Sequence, residues 1–235
     1  MIEFQHTDKQ YGKITAFSTD QLKIEQGETL GVVGNNGAGK TTMLRLILDL
    51  VKPTKGLVTS KGQDVFRSDH WKSYTGSFLD DGFLIPFLKP MEYLEFIGSL
   101  YRIPKSEIDG FLSQNHQFFD EQLFKGKKLI RDLSTGNRTK VGILSALIHN
   151  PEIVILDEPF ANLDPGSQSW LKGKIKSIAT SFRTMIVSSH DLRHITDIAT
   201  RIIVLEDGQV VQDCPNDEKM LTQLEAYFER PSEFG

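Results

Sequence analysis

The sequence of 235 residues is poor in features that mark secreted, membrane-spanning and bulk nucleic-acid-binding proteins. A single cysteine, Cys214, allows no disulfide within the chain, so we expect a reducing compartment. No stretch approaches the ~18 consecutive apolar residues that a membrane-spanning helix needs, and the first residues lack the apolar segment of a signal peptide. The net charge of −4 argues against binding nucleic acid through bulk positive charge. We therefore expect a soluble, cytoplasmic protein with no nucleic-acid partner.

Four short apolar runs rich in β-branched residues predict strands of a parallel sheet. None of them alternates with polar residues, which is typical of strands buried on both faces, and helical patterns lie between them. The first thirty residues differ, because they read as short strands joined by turns. The prediction is an α/β fold with a mostly parallel core sheet and an N-terminal antiparallel β subdomain. The four core runs are Leu30–Gly34, Ile153–Leu156, Met185–Val187 and Ile202–Leu205.

A mostly helical stretch interrupts these strand signals. Apolar residues in Met91–Tyr101 share one helix face, a second helix is expected after Pro104, and a third begins at Ser134. We predict one domain over residues 1–235, with a helical subdomain inserted at about residues 80–148.

The motif G-x-x-x-x-G-K-T follows the first core strand and opens a helix, which is the context of a phosphate-binding loop. Glycines let the backbone amides point inward together, and the lysine carries positive charge to the β- and γ-phosphates. The hydroxyl of Thr41 is expected to be a ligand for Mg²⁺. We expect a nucleoside triphosphate here, bound by Gly34, Asn35, Asn36, Gly37, Ala38, Gly39, Lys40, Thr41 and Thr42.

Three polar residues end other core strands, at the sheet edge where ligands of parallel α/β sheets lie. Asp157 is expected to hold Mg²⁺, and Glu158 to act as general base on a water in line with the γ-phosphate. His190 is expected beside that water. The weaker alternative is a zinc site at His190 and His194, because HDLRH lacks the glutamate of H-E-x-x-H and no third ligand is evident.

The motifs GNNGAGKTT, LSTGN, IVILDEP, ANLD and a strand ending in SSH occur in this order along the chain. This arrangement resembles the ATP-binding-cassette (ABC) ATPase family, and the similarity covers essentially the whole chain. The resemblance implies that two cassettes stack head to tail, with each ATP between the P-loop of one and the LSTGN of the other. Ser134 and Gly136 would then contact the partner's nucleotide, Asp164 would link the two sites, and Tyr11 would stack on adenine.

The resemblance further implies the nucleotide-binding, ATP-hydrolysing subunit of a transporter, similar to single-cassette bacterial exporters. Its cofactors would be ATP and Mg²⁺. Its partners would be a second cassette, in a homodimer, and integral membrane subunits, which places it on the inner face of the cell membrane. The alternatives are a soluble ABC ATPase that acts on nucleic acid or ribosomes, and a slow ATP-dependent regulatory module.

The sequence departs from the family pattern at several positions. An aspartate, Asp80 or by a one-residue slip Asp81, stands where the family usually has a glutamine, and Asp80 is predicted to coordinate Mg²⁺. Thr135 and Asn137 replace a glycine and a glutamine of the LSGGQ-type motif, and Phe160 replaces a small hydroxyl residue. Several phenylalanines in residues 76–100 suggest a groove for a helix of a membrane partner, although core packing explains most aromatic residues.

Overall fold

The computed structural model describes residues 1–180 and 182–229, and its strands form one sheet of ten. The order across the sheet is β5-β4-β1-β2-β10-β9-β3-β8-β7-β6. The strands are β1 (Ile2–Tyr11), β2 (Ile14–Ile24), β3 (Thr29–Val33), β4 (Lys55–Ser60), β5 (Gln63–Asp64), β6 (Thr75–Phe78), β7 (Ile153–Asp157), β8 (Thr184–Ser189), β9 (Arg201–Glu206) and β10 (Gln209–Pro215).

The sheet has a parallel half and a largely antiparallel half, which confirms the predicted fold class. Strands β9, β3, β8, β7 and β6 run parallel to one another, and every residue of β3, β7 and β8 is buried. Strands β1, β2, β4 and β5 pair antiparallel. Hydrophobic burial on both faces explains why the core strands lack alternation.

Strand β6 carries no strand signal in the sequence, because its residues, TGSF, contain no apolar run. Its glycine has a steric reason, since a Cβ on Gly76 would overlap the carbonyl oxygen of Ala146. The next close approach involves Gly142, whose added Cβ would overlap the ring of Phe78. Helix and strand therefore pack nearly backbone to backbone at this edge of the sheet.

Residues 79–152, all described, hold four α-helices and no strand. Their apolar faces join one hydrophobic cluster with β7 and β8, and the ring of Phe118 stacks on Trp170 at 4.3 Å between centroids. The helices of the molecule are α1 (Lys40–Ile47), α2 (Pro90–Leu100), α3 (Lys105–Gln114), α4 (Gln122–Lys125), α5 (Thr135–Leu147), α6 (Pro165–Ile178), α7 (Leu192–Ile198) and α8 (Met220–Phe228).

The predicted helices agree with α2, α3 and α5 to within a few residues, whereas the four-residue α4 carries no sequence signal. The amphipathic pattern near the C-terminus, Met220 to Arg230, coincides with α8, but Arg230 lies outside the described residues. In the described part of the chain, none of the helices is both long and apolar enough to cross a bilayer.

Candidate nucleotide-binding site

The P-loop (residues 34–42) connects β3 to α1 through a turn that requires glycine. Gly39 has φ 107°, and a Cβ there would lie 2.5 Å from the carbonyl oxygen of Ala16. At Gly34, a Cβ would overlap the carbonyl oxygen of Leu205. The loop therefore packs closely against β2 and β9, and these two positions leave no room for a side chain.

Lys40 is held inside this loop by acceptors that come from the loop itself. Its side chain is buried, and the ammonium group donates to the carbonyl oxygens of Gly34 at 2.6 Å and Asn35 at 3.3 Å. The same nitrogen lies 3.4 Å from Oε1 of Glu158. The ammonium is thus pre-positioned at the mouth of the loop, where an anion would meet it.

Asp157 ends β7 between two side-chain hydroxyl groups. Thr41 Oγ1 donates to its Oδ2 at 2.6 Å, and Ser188 Oγ donates to its other oxygen. Burial raises the pKa of this carboxyl above its ordinary value, and the two hydroxyl bonds act against that rise. A hydroxyl and a carboxylate side by side are oxygen ligands that suit Mg²⁺. Thr41 and Asp157 therefore fit the predicted metal role.

Glu158 follows β7 in a strained conformation, with φ 47° at a non-glycine residue. Its amide donates to the carbonyl oxygen of Ser188 at 3.2 Å and to the hydroxyl at 3.0 Å. Nδ1 of His190 lies 2.9 Å from Oε2, whereas the buried Oε1 accepts no hydrogen bond from the described residues and has the ammonium of Lys40 as an ion-pair partner at 3.4 Å. Oε1 therefore keeps acceptor capacity for a water, which a general base requires.

A cleft of 180 Å³ lies between the P-loop and Glu158, and neither Asp157 nor His190 is among its lining residues. Its walls include Ala16, which no sequence signal indicated and which the packing of β2 on the P-loop brings there. Tyr11 does not line this cleft; its ring is about half exposed at the end of β1, with the ammonium of Lys9 4.8 Å from the ring centroid. The other lining residues are Asn35, Asn36, Gly37, Ala38, Gly39, Lys40, Thr41, Thr42 and Glu158.

Two adjacent aspartates after β6 point to different partners. Asp80 is exposed, accepts a hydrogen bond from the amide of Gly82 at 2.8 Å, and lies 3.9 Å from the guanidinium of Arg45 on α1. Asp81 accepts a hydrogen bond from Arg138 at 2.6 Å. Neither carboxylate lines the P-loop cleft. The structure thus places Asp80 against the helix that begins at Lys40, one turn beyond the P-loop.

The LSTGN residues, here called the signature turn (residues 133–137), begin α5 away from the P-loop cleft of the same chain. Ser134 caps the helix, since its Oγ accepts the amide of Asn137 at 3.3 Å. A Cβ on Gly136 would lie 2.5 Å from the carbonyl oxygen of Asn162, which belongs to ANLD. The two motifs therefore touch, a contact that their separation in sequence conceals.

Asp164, at the end of ANLD, caps α6 by accepting the amide of Ser167 at 2.9 Å and pairs with Lys140 of α5 at 3.1 Å. The hydrogen bonds from Ser167, followed by the one from Lys140, hold the pKa of this carboxyl far below its ordinary range. Asp164 is thereby held as an anion beside α5, which is called the signature helix below because the signature turn begins it.

Phe160 is buried, with its ring 4.5 Å from the ring of His194 between centroids. His194 in turn lies 3.6 Å from a carboxylate oxygen of Asp191. Over residues 1–180 and 182–229, no group of three histidine, cysteine or acidic side chains is arranged to hold a metal ion. The aromatic residue that departs from the family pattern thus packs between ANLD and the helix that follows His190.

Comparisons with known proteins agree with this geometry. Residues 17–161 match the model of the ABC transporter family. An uncharacterised ABC transporter ATP-binding protein of Bacillus subtilis, YhaQ, is 32% identical over 211 residues, which are 90% of this chain and 70% of that protein. The bacitracin transport ATP-binding protein BcrA of Enterococcus faecalis is 32% identical over 217 residues, covering 91% of this chain and 68% of that protein.

Solved structures give the same result. A dimeric ATP-binding cassette in a post-hydrolysis state, bound to ADP and phosphate, superposes with a TM-score of 0.78 at 26% identity, over 92% of this chain and 99% of that one. A P-loop ATPase cassette is the class that this fold and site define. The chain belongs to the ABC transporter family. It spans between 56% and 78% of the length of the first four curated relatives.

Proposed function

We propose that this chain binds and hydrolyses ATP to power an ABC transporter through head-to-tail dimerisation with a second copy. One observation supports this most directly: Glu158 presents a buried carboxylate oxygen that accepts no hydrogen bond, lies 3.4 Å from the ammonium of Lys40 and is next to the Asp157–Thr41 pair. A carboxylate so placed can take the proton of a water that attacks the γ-phosphate. His190, bonded to the other oxygen, orients this carboxylate.

The remaining roles belong to the same proposal. The P-loop amides and Lys40 would bind the phosphates, and Tyr11 would stack on adenine. Thr41 and Asp157 would hold Mg²⁺, which neutralises phosphate charge when bound, and Asp80 would join them after a movement from Arg45 toward the P-loop. Ser134 and Gly136 serve the partner's nucleotide in this proposal, and Asp164 connects the two sites. Their position outside the cleft of their own chain supports that arrangement.

The substitution Glu158→Gln tests the base. Removing the carboxylate while keeping its shape should lower kcat for ATP hydrolysis by about 10²- to 10⁴-fold. Nucleotide affinity should remain, so ATP should trap a dimer that size-exclusion chromatography detects. Glu152→Gln is the matched control, because that glutamate precedes the same strand and pairs with Lys61 at 2.7 Å instead. Full turnover in Glu158→Gln would refute the assignment of the base.

We further propose that α2–α5 form a helical subdomain, inserted at about residues 80–148 into a single cassette, that faces integral membrane subunits. A groove of 380 Å³ runs between the end of α1 and this segment, lined by Leu50, Phe83, Tyr93 and Tyr101 among others. Phe83 and Phe87 are more than half exposed, which is unusual for large apolar side chains. An apolar helix end from a membrane subunit fits such a surface.

Affinity purification of the tagged Glu158→Gln protein from detergent-solubilised membranes, with ATP, tests the membrane partner. We expect a stoichiometric protein with several membrane-spanning helices, and we expect Phe83→Asp with Phe87→Asp to lose it. Phe66→Asp is the control, since Phe66 is similarly exposed but lines a different surface. Recovery of ribosomes or nucleic acid instead would favour a soluble ABC ATPase. Equal recovery with all variants would refute the groove as the docking surface.

Export is the direction we propose, and the inner face of the cell membrane is the proposed location. Two relatives whose names carry an export or antibiotic-transport function support it: BcrA, and a Nod factor export ATP-binding protein of Cupriavidus pinatubonensis at 27% identity over 92% of this chain.

A further inference from the structure

The loop that follows β6 is bonded to the segment that precedes the signature turn. The amide of Ile130 donates to the carbonyl oxygen of Leu88 at 2.9 Å, and the amide of Arg131 donates to that of Pro86 at 3.1 Å. These two backbone bonds run between residues 79–89, here called the β6 loop, and residues 130–131. They tether the loop to the chain just before Ser134.

A third connection reaches the signature turn itself, and it is made by side chains. Nε of Arg138 donates to Oδ2 of Asp81 at 2.6 Å, with both side chains only partly exposed. A charge-assisted hydrogen bond of this length is stronger than a neutral one. Because both side chains are partly buried, solvent and salt screen the pair less than they screen a fully exposed pair. Asp81 is therefore engaged in holding an arginine, which separates its role from that of Asp80.

The same guanidinium group donates hydrogen bonds to the signature turn on both sides of its serine. One terminal nitrogen donates to the carbonyl oxygen of Leu133 at 2.7 Å, and the other donates to the hydroxyl of Thr135 at 3.2 Å. Leu133 and Thr135 flank Ser134. Because a guanidinium is planar and rigid, three bonds in different directions fix the turn relative to Asp81.

Asp80, the residue before Asp81, connects the β6 loop to α1. Its carboxylate faces Arg45 of α1, the helix that the P-loop opens, while the next carboxylate in sequence faces the signature helix. Phe83 and Leu84, which follow in the same loop, line the apolar groove. Two consecutive acids thus connect one short loop to α1, the helix that the P-loop opens, and to α5, the helix that the signature turn opens.

We infer that the Asp81–Arg138 ion pair is a positioning element that holds Ser134 and its neighbouring amides in the conformation that binds the partner's nucleotide. The β6 loop thereby sets the signature turn, and a displacement of this loop changes the turn's affinity for phosphate. Thr135, which departs from the glycine of the family pattern, contributes to this grip through its hydroxyl. The inference rests on the proposed head-to-tail function, because Ser134 acts there in the second copy's site.

The test uses Asp81→Asn and Arg138→Gln, each made in the Glu158→Gln background. ATP-dependent dimerisation, followed by analytical ultracentrifugation, should weaken about tenfold for either change. The affinity of the monomer for a fluorescent ATP analogue should change less than twofold, since neither residue lines the P-loop cleft. The double variant should dimerise no worse than Arg138→Gln alone, because that single change already removes the interaction with Asp81.

Conservative variants and a control separate positioning from a general loss of structure. Asp81→Glu retains the carboxylate and should restore dimerisation, whereas Arg138→Lys retains the charge without the fork and should not. Lys125→Gln removes an exposed ion pair of similar length, with Glu121 at 2.6 Å, from the same helical segment and should have no effect. In monomers, hydrogen exchange at the amides of residues 134–137 should accelerate with Asp81→Asn and not with Lys125→Gln.

The outcomes are distinct. Unchanged dimerisation with Asp81→Asn or Arg138→Gln, additive losses in the double variant, or unchanged amide exchange would each overturn the positioning role while the proposed function stands. A Glu158→Gln parent that hydrolyses ATP at the full rate or fails to dimerise would overturn the proposed function, and the role of Asp81 with it.

Discussion

The two phosphate-binding turns of this chain differ in how complete they are. The P-loop contains its own cation, Lys40, and lies between the sheet and the acidic end of β7. The signature turn has an exposed serine, Ser134, at a helix N-terminus, and the ion pair between Arg138 and Asp81 holds the turn in place. In the proposed head-to-tail dimer, the first turn would be a site within one molecule, whereas the second would be half of a site that the other copy completes.

Lys40→Ala should have the largest effect, because it removes the only P-loop side chain that carries positive charge. Affinity for ATP, measured by isothermal titration calorimetry, should fall at least about 100-fold, which is about 2.7 kcal/mol. Lys219→Ala, at an exposed lysine far along the chain, is the control. Unchanged affinity with Lys40→Ala would remove the distinction between the two turns.

Gly142→Ala tests how tightly the signature helix packs on the sheet. The added Cβ would overlap the buried ring of Phe78, so the free energy of unfolding should fall by about 2 kcal/mol. Gly110→Ala on α3 is the matched control, because a Cβ there meets nothing within 4 Å. That change should instead stabilise by about 0.5–1 kcal/mol. Chemical denaturation measures both, and equal values would contradict the packing argument.

Gly136→Ala should separate the two turns by function. The new Cβ would press on the carbonyl oxygen of Asn162, so the signature turn and ANLD must shift apart. ATP-dependent dimerisation in the Glu158→Gln background should weaken about tenfold, or about 1.4 kcal/mol, with ATP affinity of the monomer unchanged. A loss of monomer affinity would show that the signature turn also serves its own chain's nucleotide.

His149→Phe should have the smallest effect, visible only against pH. Burial lowers the pKa of His149 to about 4, and its ring stacks on Tyr101 at 3.8 Å between centroids. Between pH 6.5 and 4, the His149 side chain is protonated in the unfolded chain but remains neutral in the folded chain. The free energy of unfolding therefore falls as pH drops. For this half-buried ring the loss should be about 1 kcal/mol after allowing for screening by solvent.

The phenylalanine preserves the stack and cannot titrate. Denaturation at pH 7 and 4.5 should therefore show a smaller loss for His149→Phe than for the parent protein. The same loss in both proteins would assign the acid sensitivity to other groups.

The sequence was sufficient where function depends on residues that are neighbours along the chain. The P-loop pattern, the acidic end of β7 and the histidine after β8 are each carried by one strand and the turn that follows it. Parallel strands end at one edge of the sheet, so these local patterns also predicted which side chains would meet. The structure accordingly brings Lys40, Glu158 and His190 together.

Tertiary structure alone decided the contacts between segments that no local pattern connects. Strand β6 exists because Gly76 lets α5 approach, although TGSF has little apolar content of its own. Asp80 faces α1 and Asp81 pairs with Arg138, and the direction of the loop after β6 decides which aspartate does which. Periodicity and spacing report the neighbours of a residue along one element, whereas a single hydrogen bond across 57 positions depends on how the whole core packs.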